Sequence, residues 1–125
     1  MLQREVVERM VAEPGNKAYG RLSVMLQWQY DMELLFIVPP TAFDPMPRVD
    51  SAIVRMIPRE TPEACSSVAL EKTVTQAFSQ RRKMLRNNLA PLFSESRLIE
   101  LGIDPTRRPE DLTVEQFIRL ANHLN

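Results

Sequence analysis

Residues 39–49 hold four of the chain's ten prolines, Pro39, Pro40, Pro45 and Pro47, and no other feature restricts the fold as strongly. Proline cannot donate to a sheet ladder, and it pushes the residue before it out of the helical region, so this stretch predicts a stiff, ordered loop. It separates two apolar runs. Met32 to Val38 is of strand length, is partly β-branched and stops at the Pro39-Pro40 pair, which predicts a buried strand. After the loop, Ala52, Val54 and Met56 alternate with Ile53, Arg55 and Ile57 until Pro58 closes the run, and this predicts a second strand.

The remaining segments read as helices. Leu2, Val6 and Arg9/Met10 fall at helical spacing over residues 2–12, and Glu13-Pro14-Gly15 ends that run. Tyr19 to Gln29 predicts a second helix with Leu22, Met25 and Leu26 on one face and Trp28 near its end. From Pro58 to Ser67 the composition shifts to Pro, Glu, Thr and Ser, which predicts a linker and a boundary near residue 60, with one unit over 1–59 and an all-helical unit over 60–125. In the second unit, Ser66 or Ser67 caps a long helix whose positions Leu70, Val74, Ala77, Phe78, Leu85 and Leu89 fit the 3.6 period as far as Ala90-Pro91. Ser94 caps a short helix closed by Gly102. Thr113 and Gln116 form a capping box, flanked by a Leu112–Phe117 staple, for a last helix striped with Val114, Phe117, Ile118, Ala121 and Leu124. A chain of 125 residues with 44% apolar content suits one compact domain or two small pieces.

Charge and cysteine content narrow the function. Sixteen Lys and Arg balance sixteen Asp and Glu, and neither side of residue 59 carries an excess. Attraction to a polyanion must therefore come from a local cluster. The lone Cys65 cannot form an internal disulfide, no apolar run is long enough to span a bilayer, and the start of the chain lacks a signal-peptide core, so a reducing cytosol is the expected location. Cys65 has no basic neighbour in sequence to lower its pKa, and His123 sits in the last turn of a helix, where an imidazole is favoured electrostatically without catalysis. The three glycines form no phosphate cradle, and no Cys/His pair has metal-ligand spacing. Neither a metal site nor a cofactor site is expected in the chain by itself.

Two features stand out. Arg81-Arg82-Lys83 with Arg86 crowds four cations into about two turns of the expected long helix, where Ser79, Arg82, Lys83 and Arg86 would share a face. Such a face is either simply solvated or bound to an external anion. Arg81 is different, because it falls on the stripe that otherwise faces the core and must snorkel or find a partner. Neighbouring Asn87-Asn88 either contacts phosphate and ribose or ends the helix. The second feature is Phe43, held in the proline loop. Its ring either stacks on a planar ligand such as a nucleobase or plugs the end of the sheet.

Leu2-Gln3-Arg4-Glu5-Val6, Tyr19-Gly20-Arg21-Leu22-Ser23-Val24, the loop from Val38 to Ser51, the run Ala77 to Asn87, and Gly102-Ile103-Asp104-Pro105 together resemble the bacterial small-subunit rRNA adenine dimethyltransferases. The resemblance follows chain order through nearly the whole sequence. It implies an α+β fold: the C-terminal part of a Rossmann-like methyltransferase domain, with two helices and an antiparallel strand pair, followed by a small all-helical rRNA-binding domain. It further implies that Phe43 packs on a target adenine turned out of its stack, an extrusion needed because the N6 of a stacked, paired base is out of reach. Arg81, Arg82, Lys83, Arg86, Arg108 and Arg48 would contact RNA. The parent protein would use S-adenosylmethionine to dimethylate N6 of two adjacent adenosines in a hairpin loop near the 3′ end of 16S rRNA, with the small ribosomal subunit or its precursor as partner and no obligate protein partner. The family's glycine-rich donor loop, its acidic ribose-binding residue and its Asn-Leu-Pro-Tyr motif have no counterpart here, so the chain alone should be inactive. A stand-alone, non-catalytic rRNA-binding module is the alternative, and self-association through an exposed sheet edge is a third possibility. Met46 stands where many relatives carry proline, and Arg48 where many carry lysine.

Overall fold

The computed structural model describes residues 1–124. In chain order the elements are β1 (Leu2–Gln3), α1 (Arg4–Val11), α2 (Arg21–Gln27), β2 (Tyr30–Val38), β3 (Ser51–Pro58), α3 (Ser67–Ala77), α4 (Leu85–Asn88), α5 (Glu95–Glu100) and α6 (Val114–Asn122). Short 3-10 turns occupy Pro40–Ala42 and Pro109–Asp111. The architecture is a mixed helix and strand assembly around a small antiparallel sheet of order β1-β3-β2.

β2 and β3 pair from Tyr30 opposite Pro58 to Val38 opposite Ser51, so the proline loop joins the two strands as a wide hairpin connection. The expected burial of β2 is not found. It is an edge strand, and an irregularity between Leu34 and Phe36 shifts its side-chain alternation. Leu35, Phe36 and Ile37 are consequently all exposed, Phe36 at 57%. The first helix also starts later than its apolar spacing predicts. Leu2 and Gln3 pair with Ala52 and Ser51 as β1, and the Arg4 N–H donates to the Asp50 carbonyl at 2.9 Å, so strand pairing captures residues that periodicity alone assigns to the helix.

α1 buries Val7 and Met10. α2 does not bury the face expected of it: Leu22 is exposed, whereas Ser23 and Val24 are buried. The reason is polar. Ser23 Oγ donates to the Arg9 carbonyl, and Gln27 Nε2 donates to the Met10 and Ala12 carbonyls at 2.9 and 2.8 Å, satisfying carbonyls at the end of α1 that have no helical partner. These bonds turn α2 so that its hydroxyl and amide face α1.

The hydrophobic core draws on both sides of residue 60. Tyr19, Val24 and Trp28 from the earlier part pack in one cluster with Leu70, Val74, Leu85, Leu89, Leu98, Phe117, Ile118 and Leu120. Burying each such side chain contributes about 1.5–3 kcal/mol, enough for the helices of the later part to hold α2 in place. Caps appear where the sequence puts them. Ser66 Oγ accepts from Ala69 N, Ser94 Oγ accepts from Arg97 N, and Thr113 and Gln116 bond reciprocally at 3.2 and 3.0 Å. Gly102 closes α5 at φ +78°, a left-handed conformation that disfavours any side chain with a Cβ.

The single long helix expected from Ser66 to Ala90 is two helices. α3 ends at Ala77, residues 78–84 form an irregular turn, and α4 is one short turn of helix from Leu85. Periodicity matched on both sides of the break because Leu85 and Leu89 are buried from α4 just as Leu70 and Val74 are from α3.

Candidate nucleic-acid interface

The break after α3 is held by Asn88, one of the few buried polar residues. Its side-chain amide donates to the Ala77 and Gln80 carbonyls, each at 2.8 Å, while Gln76 Nε2 donates to the Asn88 carbonyl at 2.8 Å. Carbonyls freed at the end of α3 thus find donors inside the protein, which stabilises the turn against continued helix. Asn88 is therefore committed to the fold and is not free for a ligand. Asn87 remains exposed.

This turn changes the geometry of the cationic cluster. Ser79, Arg82, Lys83 and Arg86 do not share a helical face, because Arg81, Arg82 and Lys83 lie on the turn and Arg86 on the first turn of α4. Arg82 and Lys83 are exposed and make no ion pair among the described residues. Arg86 Nη1 lies 3.8 Å from Glu95 Oε1, a long and solvated contact that contributes little.

Arg81, also exposed, is tied to the fold. Its Nη2 donates to the Lys17 carbonyl at 3.0 Å and to the Tyr19 carbonyl, and its guanidinium carbon stands 5.2 Å from the centre of the Phe78 ring. The partner that its position on the apolar stripe demands is the loop between α1 and α2.

A second loop joins the cluster. Leu85 N–H donates to the Arg107 carbonyl at 2.7 Å, and Arg86 N–H donates to the Pro105 carbonyl at 3.0 Å, so residues 104–108 lie directly against the start of α4. Within that loop, Thr106 donates to Asp104 Oδ1 from its backbone N–H at 2.9 Å and its hydroxyl at 2.6 Å. These two bonds, with a smaller contribution from the Arg107 charge, hold the Asp104 carboxyl below the usual carboxylate range. Arg107 Nε is 3.8 Å from Asp104 Oδ2, and Arg108 is exposed. The structure thus joins the loop carrying Arg108 to the start of α4, where Arg86 lies, and adds Arg107, which charge spacing alone did not single out. The signal for it was present in the adjacent pair Arg107-Arg108.

Phe43 follows the 3-10 turn Pro40–Ala42, and its N–H donates to the Pro40 carbonyl at 3.2 Å. The ring is half-buried and does not belong to the core cluster. The Asp44–Pro45 peptide bond beside it is cis. Arg48 is exposed and lines a groove with Gln3, Arg4, Glu8, Pro40 and Asp50, apart from the turn and loop that carry the other cations. Arg4 fixes that end of the proline loop through ion pairs to Asp50 at 3.1 Å and Glu8 at 2.7 Å.

Other chemistry finds little support. Burial, helped by the Glu63 charge, pushes the Cys65 thiol up and away from its reactive form. His123 Nδ1 lies 2.8 Å from the Arg119 carbonyl and caps the end of α6. Among the described residues no three His, Cys, Asp or Glu side chains gather as a metal site, and no helix is long and apolar enough to cross a membrane. Nor do these residues fit a nucleoside-type methyl donor. The space above Gly20 is filled by Arg81, and Gly15 and Gly102 serve turns at positive φ. A groove of about 610 Å³ is lined by Glu13, Glu63, Glu115, Arg59 and Trp28 with no glycine backbone.

A family model described as ribosomal RNA adenine dimethylase matches residues 1–125. A protein named ribosomal RNA small subunit methyltransferase A from Herminiimonas arsenicoxydans is 68% identical over 124 residues, covering 99% of this chain and 49% of the relative. The protein of the same name from Dechloromonas aromatica is 57% identical, covering 100% of this chain and 50% of the relative. The chain therefore spans about half the length of the curated relatives it matches. Among solved structures, a dimethyladenosine transferase from Plasmodium falciparum shares the fold at a TM-score of 0.82 and 24% identity, over 94% of this chain and 53% of that one. The 23S rRNA methyltransferase ErmE aligns at a TM-score of 0.66 and 25% identity, over 98% and 52%.

Proposed function

Since the chain belongs to the ribosomal RNA adenine dimethylase family, we propose that it is the part of such an enzyme that grips small-subunit rRNA and packs against the target adenine. The observation that carries this reading is the pair of backbone hydrogen bonds from Leu85 and Arg86 to the 104–108 loop, which joins the loop carrying Arg107 and Arg108 to the start of α4, where the turn carrying Arg82 and Lys83 ends. A chain of zero formal net charge thereby concentrates five cations on two adjoining segments. Each phosphate contact by such a residue fixes register on the RNA without reading sequence. In this reading residues 1–59 complete a Rossmann-like catalytic domain, residues 60–125 form the rRNA-binding part, and the enzyme works in the cytoplasm.

The whole enzyme's reaction is methyl transfer to adenine N6, repeated to the dimethyl product. The methyl donor that the family implies, S-adenosylmethionine, supplies the electrophilic carbon. This chain's residues contribute two other things. Phe43, half-buried in the loop between β2 and β3 and stiffened by four prolines, stacks on the extruded base at about 1–3 kcal/mol. The cationic turn and loop hold the hairpin so that the extruded base arrives at that ring, and positioning of this kind lowers the barrier without a covalent intermediate.

The test is binding of the 125-residue chain to a small-subunit rRNA hairpin across a salt series. Saturable binding that weakens steeply with salt supports the reading. Binding insensitive to salt, or none, overturns it.

A further inference from the structure

We propose that Arg81 is a positioning residue, not a phosphate contact: it locks the cationic turn 78–84 onto the α1–α2 loop, and so sets where Arg82 and Lys83 meet RNA. The inference rests on the RNA-gripping role proposed above and assigns a different task to one member of that cluster.

Three independent contacts converge on the Arg81 guanidinium. Nη2 donates to the Lys17 and Tyr19 carbonyls, two acceptors on a loop more than sixty positions away in sequence. The cation lies over the Phe78 ring at 5.2 Å. Phe78 in turn stacks on Phe117 of α6 at 5.7 Å and meets Tyr19 edge-on at 6.3 Å. Beside these three contacts, a Cβ at Gly20 would stand 3.2 Å from Arg81 Nη1, so the glycine in Tyr19-Gly20-Arg21 leaves room for the guanidinium. Gly20 has an extended φ of −169°, which any residue adopts, so the close approach of Arg81 accounts for the small side chain here and backbone strain does not.

The chemistry requires arginine. A planar fork donates to two carbonyls while its face covers an aromatic ring, and a lysine ammonium cannot do all of this from one position. Arg82 and Lys83 follow Arg81 directly, so anchoring it fixes the backbone that presents them. Tyr19 also leads straight into α2, whose last turn precedes β2 and the Phe43 loop. The lock therefore sits on the path between the phosphate-gripping turn and the adenine-stacking ring.

Arg81→Lys, Arg81→Ala and Gly20→Ala in the 125-residue chain test this, using amide hydrogen exchange and binding to a small-subunit rRNA hairpin over a salt series. The lock predicts that Arg81→Lys and Gly20→Ala speed exchange together at residues 16–20 and 78–84 and weaken RNA binding about fivefold or more, while leaving the salt slope unchanged. Arg81→Ala should behave the same way although it removes a charge. If Arg81→Lys exchanges and binds like the wild type, or if Arg81→Ala flattens the slope by about 0.7–0.9 as a lost phosphate contact does, the proposal is wrong. Should the wild-type chain fail to bind RNA, the functional reading falls, and hydrogen exchange alone still decides whether the lock exists.

Discussion

Asn88 donates its side-chain amide to the Ala77 carbonyl at 2.8 Å, so a residue on α4 caps the helix that ends eleven positions before it. The same amide reaches the Gln80 carbonyl, and the Asn88 carbonyl receives Gln76 Nε2. This exchange separates α3 from α4 and creates the turn on which Arg82 and Lys83 are displayed. Replacing Asn88 with alanine leaves two carbonyls without their donor in a buried site, which should cost about 2–4 kcal/mol. Urea denaturation measures it, and a loss below about 0.5 kcal/mol would show that the turn does not depend on this side chain.

The Thr113–Gln116 capping box orders the start of α6, whose Phe117, Ile118 and Leu120 form much of the core. Thr113→Ala removes the acceptor for Gln116 N and should lower stability by about 1 kcal/mol. Thr113→Ser should retain most of it. Thermal melts of the two variants side by side check the cap against a general effect of substitution.

The Tyr19 hydroxyl is buried and has no hydrogen-bond partner among the described residues. Burial, with a smaller contribution from Glu115, raises its pKa far above the ordinary phenol value of 10.0. The unfolded chain loses this proton near pH 10 whereas the folded chain holds it. The contribution to stability is therefore fully present below pH 10 and is lost as pH rises beyond it. Tyr19→Phe should be at least as stable as the wild type at pH 7 and should lose stability less steeply above pH 10. Denaturant titrations at both pH values decide this.

Phe43→Ala in a whole enzyme of this family carrying these residues should reduce methyl transfer far more than subunit binding, because one ring stacked on one base is worth about 1–3 kcal/mol while phosphate contacts are left intact. Equal losses in both assays would mean that the ring only closes the end of the sheet.

Much of this was legible in the sequence because the determining interactions are local. The proline loop, the caps at Ser66, Ser94 and Thr113, and the glycine at the end of α5 all depend on neighbours within a few residues, and the two strands were marked by their apolar runs and bounding prolines. What was not legible depends on distant partners. The break after Ala77 comes from Asn88, the orientation of α2 comes from bonds to Arg9, Met10 and Ala12, and the strand at Leu2 comes from pairing with β3. None of these leaves a trace in hydrophobic period. The candidate site divides the same way. Arg82, Lys83, Arg86 and Arg108 were visible as charge, but the union of two loops, the place of Arg107 and the anchoring of Arg81 required the backbone bonds at Leu85 and Arg86 and the carbonyls of Lys17 and Tyr19.

The salt dependence of rRNA hairpin binding tests the central claim most directly, comparing the wild-type chain with Arg82→Ala/Lys83→Ala and with Arg107→Ala/Arg108→Ala. If both segments grip phosphate, each double variant should lower the slope of log K against log salt by about 1.4–1.8, the sum of two contacts. A slope unchanged in both double variants would contradict the account, since the cations gathered on the turn and the loop would then face only water.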